Sequence, residues 1–379
     1  MYTETALPRI GGQEMVIDAL ARCFAREGHD VRVLAPRPHG QACGDDARPY
    51  EVVRHAPFVS TRRFLGWYAR GLARFYNRWP FDVLHCHSVY PTAYLASLVA
   101  SRIPAPLIVT SHGGDVREGN ARMRKPGVRE RHSRGIAAAD TLVAISRYTR
   151  DGYRRLAPQA GPIVDIPNGV DLATFVQPVE RPGALDSAIM SGNFILSLGR
   201  MHPQKGGDVL IRAFASALRQ LHQSRLQLVL AGGGPMRAQW EALAETEGVK
   251  DRCHFPGFVA GETKTWLLQN ALATSVPTRH WEAFGLTVVE SFAAGRPVVA
   301  SDLPGLADLI LPNQTGLLVP PDDSQALSAA IVKLASGSRF TDQLGQAARR
   351  SAEQYAWPCI AAKHLQLYEQ LATKRASAA

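Results

Sequence analysis

Two glutamates eight positions apart, Glu282 and Glu290, stand in the stretch VPTRHWEAFGLTVVESFAAGRPVVASDLP (residues 276–304). The pattern around them reads as an apolar strand at 273–276, a polar loop, a helix over about 284–294, a Gly295-Arg296-Pro297 stop and a second strand at 298–301. Glu282 therefore lies just ahead of a helix N-terminus, at the Phe284-Gly285-Leu286 junction, and Glu290 rides on the helix. A helix N-terminus at the carboxyl end of a parallel strand offers unpaired N–H groups and positive dipole, which suit a diphosphate; neighbouring carboxylates accept hydrogen bonds from sugar hydroxyls. The combination fits a nucleotide sugar. Spacing alone leaves a plainer reading open, with Glu282 a solvated loop charge and Glu290 a helix-surface residue.

Cations of matching use occur in Gly199-Arg200-Met201-His202-Pro203-Gln204-Lys205-Gly206, directly after an expected strand at 194–198. Arg200 and Lys205 in a glycine-bounded loop can clamp a diphosphate, the guanidinium through paired hydrogen bonds and the ammonium as a point charge. A surface loop is the alternative. In the first half, expected strands at 82–87 (DVLHCH) and 107–110 (LIVT) end in His87 and in Ser111-His112-Gly113-Gly114-Asp115. Open α/β sheets bind ligands beyond the carboxyl ends of their strands, so His87, His112 and Asp115 are site candidates, with structural roles as the alternative. Arg117 opens a basic run, with Arg122, Arg124, Lys125, Arg129, Arg131 and Arg134 against only Glu118 and Glu130. That run is either a solvated face or a dock for a phosphate- or lipid-bearing acceptor. Gly11 and Gly12 either let a ligand approach the backbone or simply turn the chain into a helix.

Strands alternate with helices along both halves, which implies an α/β chain of two Rossmann-like domains facing a cleft. Its 379 residues exceed one typical domain, and 46% hydrophobic with 20% charged residues is ordinary for a globular protein. No apolar run approaches the roughly 20 residues a membrane span needs, and no basic-then-apolar leader opens the chain, so a cytoplasmic protein is expected. Five scattered cysteines (Cys23, Cys43, Cys86, Cys253, Cys359) without a C-x-x-C read as reduced thiols, not a metal site. The net charge of +10 is concentrated in residues 1–180, with 24 Lys and Arg against 17 Asp and Glu, so an anionic partner would meet that half. Residues 62–79 place Phe64, Trp67, Tyr68, Leu72, Phe75, Tyr76 and Trp79 at helical spacing with arginines mostly off the stripe. Such a helix covers a sheet or lies on the inner face of an anionic membrane as a peripheral contact. Asn168-Gly169 signals a positive-φ turn and the polar stretch 177–193 an interdomain linker. Gly232-Gly233-Gly234 resembles a dinucleotide fingerprint, but Arg237 takes the place of its last glycine, which argues against NAD.

E-x7-E with Phe-Gly after the first Glu and Ala-x-Gly-x-Pro-Val-Val after the second resembles retaining glycosyltransferases of family 4, which have the GT-B fold. The resemblance runs from Gly11 onward and departs at Ala283, where the family most often has proline. It implies that Glu282 contacts the transferred hexose and Glu290 the ribose, and that Arg200 and Lys205 neutralise the donor's leaving phosphates. It further implies that Gly11 and Gly12 lie near the donor phosphate and the acceptor, and that His112, in an H-G motif, contacts the hexose near the reacting centre. The donor would be a nucleoside-diphosphate sugar and the acceptor a glycan, lipid-linked or phosphate-bearing molecule, without cofactor, divalent metal or nucleic acid. A nucleotide-sugar epimerase of the same fold and a non-catalytic nucleotide-sugar-binding subunit are the rival expectations. The implied domains are residues 1–180 for the acceptor, 190–355 for the donor, and a helix over 356–379 crossing back to the first. In the family a central strand precedes the Gly-Gly loop, and residues 1–7 are too short and polar to supply it fully. The expectation is a missing or truncated first strand, with about ten further residues in the native protein.

Overall fold

The computed structural model describes residues 1–38, 45–59, 62–222 and 225–377, so Cys43 lies outside the described residues, as do the side chains of Arg62 and Arg63. The chain forms two compact units, Met1–Asn168 with Trp357–Ala379, and Gly169–Ala356.

The first unit carries β1 (Arg32–Pro36), β2 (Glu51–His55), β3 (Leu84–Cys86), β4 (Leu107–Thr110), β5 (Thr141–Ala144) and β6 (Ile163–Asp165). All pair in parallel, β1 with β2 and β3 through β6 in sequence order. The gap between β1 and β3 is filled by residues 1–3. Tyr2 bridges in parallel to Leu34 on one side and Cys86 on the other, with Tyr2 N–H donating to the His85 carbonyl (2.8 Å) and His87 N–H to the Tyr2 carbonyl (2.9 Å). Residues 1–3 therefore occupy the central position of the sheet, and Tyr2, 2% exposed, anchors them in the core. Short apolar runs such as LIVT, buried at every position, become strands because both faces of a parallel sheet are covered by helices.

The second unit orders its strands β12 (Gly316–Val319), β11 (Val298–Ser301), β10 (Ala273–Val276), β7 (Phe194–Leu198), β8 (Gln227–Ala231), β9 (Cys253–Gly257), again all parallel. Its core gathers Ile195, Phe214, Leu228, Val299 and Ile331, each fully buried and each contributing about 1.5–3 kcal/mol through the hydrophobic effect.

The boundary differs from the sequence expectation. Residues 177–193 are not a free linker: Val179 N–H donates to Gln269 (3.0 Å), and Leu185 and Ile189 are buried, so the segment packs within the second unit. Neither Asn168 nor Gly169 has a positive φ. The chain instead continues extended, and Val170 N–H donates to the Tyr355 carbonyl (2.8 Å), pairing the outgoing segment with the one that returns to the helix Trp357–Ala376. That helix packs on the first unit: Tyr368 lies edge-on to Phe24 and its hydroxyl meets His85 Nδ1 at 2.5 Å, while Arg375 pairs with Asp140 at 2.9 Å.

Candidate active site

In the second sheet the chain runs outward from β7 in both directions, through β8 and β9 on one side and β10, β11 and β12 on the other. The loops after β7 and β10 thus part at a topological switch point, where open α/β sheets leave a crevice. Close backbone contact holds them together. Gly206 (φ 63°) caps the helix Gly207–Gln220, and a Cβ there would lie 2.0 Å from the Pro277 carbonyl oxygen. Arg279 N–H donates to the Gln204 carbonyl (2.9 Å), and the Arg279 guanidinium reaches Asp208 (2.6 Å) and Asp322 (2.8 Å). As a result Lys205 Nζ lies 2.6 Å from Glu282 Oε2, with Thr278 Oγ1 at 3.4 Å from the same oxygen.

Glu282 is fixed from behind as well. A Cβ at Gly305 would meet the Glu282 carbonyl at 2.0 Å, so only glycine lets that turn press on the loop. Buried Phe284 and Ala283 then lead to Gly285 (φ 95°), the N-cap of the helix Leu286–Ala293. Its first-turn N–H groups have no intrahelical acceptor. Glu290, one turn along, pairs with Lys264 on the helix Gly261–Asn270 at 2.7 Å. Arg200 is exposed and has no ion-pair partner among the described residues. Among the described residues the site accordingly holds Arg200 without an ion-pair partner, two carboxylates already paired with lysines, and a helix N-terminus. The glycine-rich turn 232–234 is used internally: Met201 N–H donates to the Gly233 carbonyl (2.8 Å), and a Cβ at Gly232 would lie 1.8 Å from the Gly199 carbonyl. Those glycines shape the loop that carries Arg200.

In the first unit the switch point lies between the Tyr2 segment and β3, because the chain leaves Tyr2 toward β1 and β2 on one side and β3 to β6 on the other. His87 follows β3 and His112 follows β4; their rings stack at 5.5 Å and 17°, with His87 Nδ1 3.3 Å from His112 Nε2. His85 lies 4.1 Å from the His87 ring and His364 5.5 Å from His85. Burial pushes all four imidazoles down, His112 to about 4 and His364 to about 3, so they are neutral at neutral pH. Neutral His112 can donate or accept a single hydrogen bond toward a ligand, whereas His87 is enclosed with its Nε2 unpartnered.

Asp115 is committed to the protein. Its Oδ2 accepts from Val89 N–H at 2.5 Å and its Oδ1 from the Ser111 hydroxyl, which shapes the turn that presents His112. Arg117 is half-buried and opens the basic run, which is exposed over 121–122 and 124–127. Gly12 is exposed and begins the helix Gly12–Arg26, while Gly11 caps it. A Cβ at Gly11 would meet Glu14 Oε2 at 2.5 Å, so the glycine leaves room for that carboxylate to fold back over the helix start. Gln13 Nε2 ties this loop to the His87 carbonyl at 2.8 Å.

Sequence reasoning missed Lys264, Thr278 and Gly305. Lys264 comes from a helix with no motif, so nothing in the linear pattern pointed to Glu290; Gly305, in a Pro-Gly step after β11, did carry a turn signal.

The description "Glycosyltransferase Family 4" matches residues 10–174 and "Glycosyl transferases group 1" residues 187–351. The phosphatidyl-myo-inositol mannosyltransferase of Mycolicibacterium smegmatis is 30% identical, over 95% of this chain and 90% of its own. The D-inositol 3-phosphate glycosyltransferase of Xylanimonas cellulosilytica is also 30% identical, over 96% and 93%. The Anabaena protein Alr3699/HepE, solved with UDP-glucose, superposes with a TM-score of 0.76 at 17% identity, covering 97% of this chain and 98% of its own. With parallel sheets in both units and these matches over nearly the whole chain, the chain belongs to glycosyltransferase family 4 and has the GT-B fold.

Proposed function

We propose that this glycosyltransferase moves a hexosyl unit from a nucleoside-diphosphate sugar to a hydroxyl of a phosphate-bearing polyol or lipid-linked acceptor, with retention at the anomeric carbon. The observation that carries the reading is the Lys205–Glu282 pair at 2.6 Å, joining the loop that also carries Arg200, which has no ion-pair partner among the described residues, to the loop that leads to the N-terminus of Leu286–Ala293. A donor diphosphate replaces Glu282 as the partner of Lys205, and the released carboxylate accepts the sugar hydroxyls. Arg200, Lys205 and the helix dipole then stabilise the charge that grows on the departing phosphate, before any reorganisation is needed. Glu290, held by Lys264, takes the ribose. Neutral His112 offers a hydrogen bond to the sugar without placing a positive charge against its developing cationic character. The C1–phosphate bond breaks and the C1–acceptor bond forms on the same face, the acceptor proton passing to a phosphate oxygen. With fixed cations in this role the reaction requires no divalent metal.

The acceptor reading draws on the names of the two inositol-linked relatives and on the exposed basic run after Arg117. Peripheral membrane contact fits the helix Arg62–Arg78. It buries Leu65, Tyr68, Ala69 and Leu72 inward but leaves Phe64 (46%) and Trp67 (49%) exposed on the face that carries Arg70 and Arg74. No helix among the described residues is long and apolar enough to cross a membrane.

The test is product analysis. UDP- and GDP-hexoses are offered with D-inositol 3-phosphate or phosphatidylinositol in the presence of EDTA, and the new linkage is read by NMR. An α-linked product from an α-linked donor supports the reading. An inverted linkage, a requirement for added metal, or conversion of the donor to its epimer without acceptor would contradict it.

A further inference from the structure

At the switch point of the first sheet, the residue that leaves the central strand is Glu4. Its neighbours are tied down: Thr3 N–H donates to the Leu34 carbonyl (3.1 Å), the Thr3 hydroxyl to the Thr5 carbonyl (2.7 Å), and the Thr5 hydroxyl to Glu14 Oε1 (2.5 Å). Gln13 spans from Thr3 to the His87 carbonyl and closes the base of the crevice. Three acids converge here, and two are spent on the protein: Asp115 on Val89 N–H and the Ser111 hydroxyl, Glu14 on Thr5 and Arg9. The half-buried Glu4 carboxyl accepts no hydrogen bond from any described residue. A carboxyl partly shielded from water and without a protein donor keeps its acceptor sites open to a ligand.

We propose that Glu4 reads the acceptor, accepting a hydrogen bond from one of its hydroxyl groups at this switch point. The inference rests on the transferase reading above and assigns it a specificity-determining residue. The surrounding charges indicate the ligand's chemistry: the positive charges of Arg122 and Arg9 act on the carboxyl, so a polyol that also carries phosphate satisfies both signs. Burial, then the charge of Asp115, pushes Glu4 up to about 7; Arg122 and Arg9 pull it down and Glu14 pushes it up. Glu4 therefore changes from acid to carboxylate within the working range, and its capacity to accept two hydrogen bonds is complete only above that point.

The experiment compares the full chain with Glu4→Gln and Glu4→Asp, using D-inositol 3-phosphate as acceptor probe and the donor that the wild type turns over. Melting temperature and affinity for the nucleoside diphosphate, which binds the other unit, report on folding. For the wild type, kcat/KM for the acceptor should climb as pH rises through about 7. In Glu4→Gln that climb should vanish and the acceptor KM should rise about 10- to 100-fold, the loss expected for a charged hydrogen bond, with Glu4→Asp recovering part of it. A wild-type acceptor KM and an unaltered pH profile in a folded Glu4→Gln protein would overturn the proposal while leaving the transferase reading intact. Absence of transfer by the wild type to either inositol-bearing acceptor would sink both.

Discussion

The two switch points solve opposite problems with opposite chemistry. In the second unit the crevice is lined by ion pairs between partly exposed lysines and more shielded glutamates, Lys205 with Glu282 and Lys264 with Glu290. Such pairs are weakly held in water and exchange readily with a charged ligand. In the first unit the crevice rests on buried neutral imidazoles in contact from His364 through His85 and His87 to His112, and on an aspartate held by Val89 N–H and the Ser111 hydroxyl. One edge is lined by ion pairs that can change partners; the other is built over uncharged rings, with the acids Glu4, Glu14 and Asp115 gathered at the same switch point.

The contrast can be broken by mutation. Lys205→Ala and Glu282→Ala should each lower kcat/KM by about two to three orders of magnitude, on the order of 3–4 kcal/mol of transition-state stabilisation. Because the two side chains touch, the double variant should fall well short of the product of the single losses, and steady-state kinetics on all three would show it.

Acid provides the next largest effect, and it falls on the first unit. The imidazoles are held below their unfolded value near 6.5, so below that pH the unfolded chain binds more protons than the folded one. Stability is thus complete above about pH 6.5 and declines as pH falls toward 4, by at most about 1.4 kcal/mol per pH unit for each imidazole. Urea unfolding followed between pH 7 and 5 should show this slope, and His364→Phe should flatten it. A slope unchanged by that substitution would mean the cluster is not what titrates.

Gly206→Ala sharpens the other side of the comparison. It forces a side chain into a left-handed turn 2.0 Å from the Pro277 carbonyl, so a loss of about 2 kcal/mol or more is expected in urea unfolding, along with weaker nucleotide binding as the two loops separate. The smallest effect belongs to the periphery. Phe64→Ser with Trp67→Ser should reduce sedimentation with anionic vesicles and leave the unfolding free energy within about 0.5 kcal/mol of wild type, since both side chains are already exposed.

How much was legible in the chain follows from where each signal resides. The second unit was easier to read because Lys205 and Glu282, which the fold brings together, sit in two short local patterns, G-R-x4-K-G and E-x7-E, each at a strand-to-helix junction whose strand and helix were also readable. The first unit was harder. Residues 1–3, at the centre of its sheet, are too few for a periodic pattern, and their place emerged only through the bridges of Tyr2 to Leu34 and Cys86. Asp115 looked like a ligand-facing acid because an acid after a strand often is; that both oxygens were used by Val89 and Ser111 depends on contacts across 26 and 4 residues. The segment 177–193 reads as a linker by composition, but two buried apolar residues, Leu185 and Ile189, are enough to pin it to the second unit. Lys264, which orients Glu290, has no sequence signature at all.

The central claim is that fixed positive charge in the second unit receives the donor's diphosphate. A crystal structure of the protein with a non-transferable UDP- or GDP-hexose analogue tests it directly. The account predicts diphosphate oxygens within hydrogen-bond distance of Lys205 Nζ, the Arg200 guanidinium and the first N–H groups of the helix Leu286–Ala293, with Glu282 turned from Lys205 to the hexose. A diphosphate bound elsewhere, with the Lys205–Glu282 contact still at 2.6 Å, would contradict it.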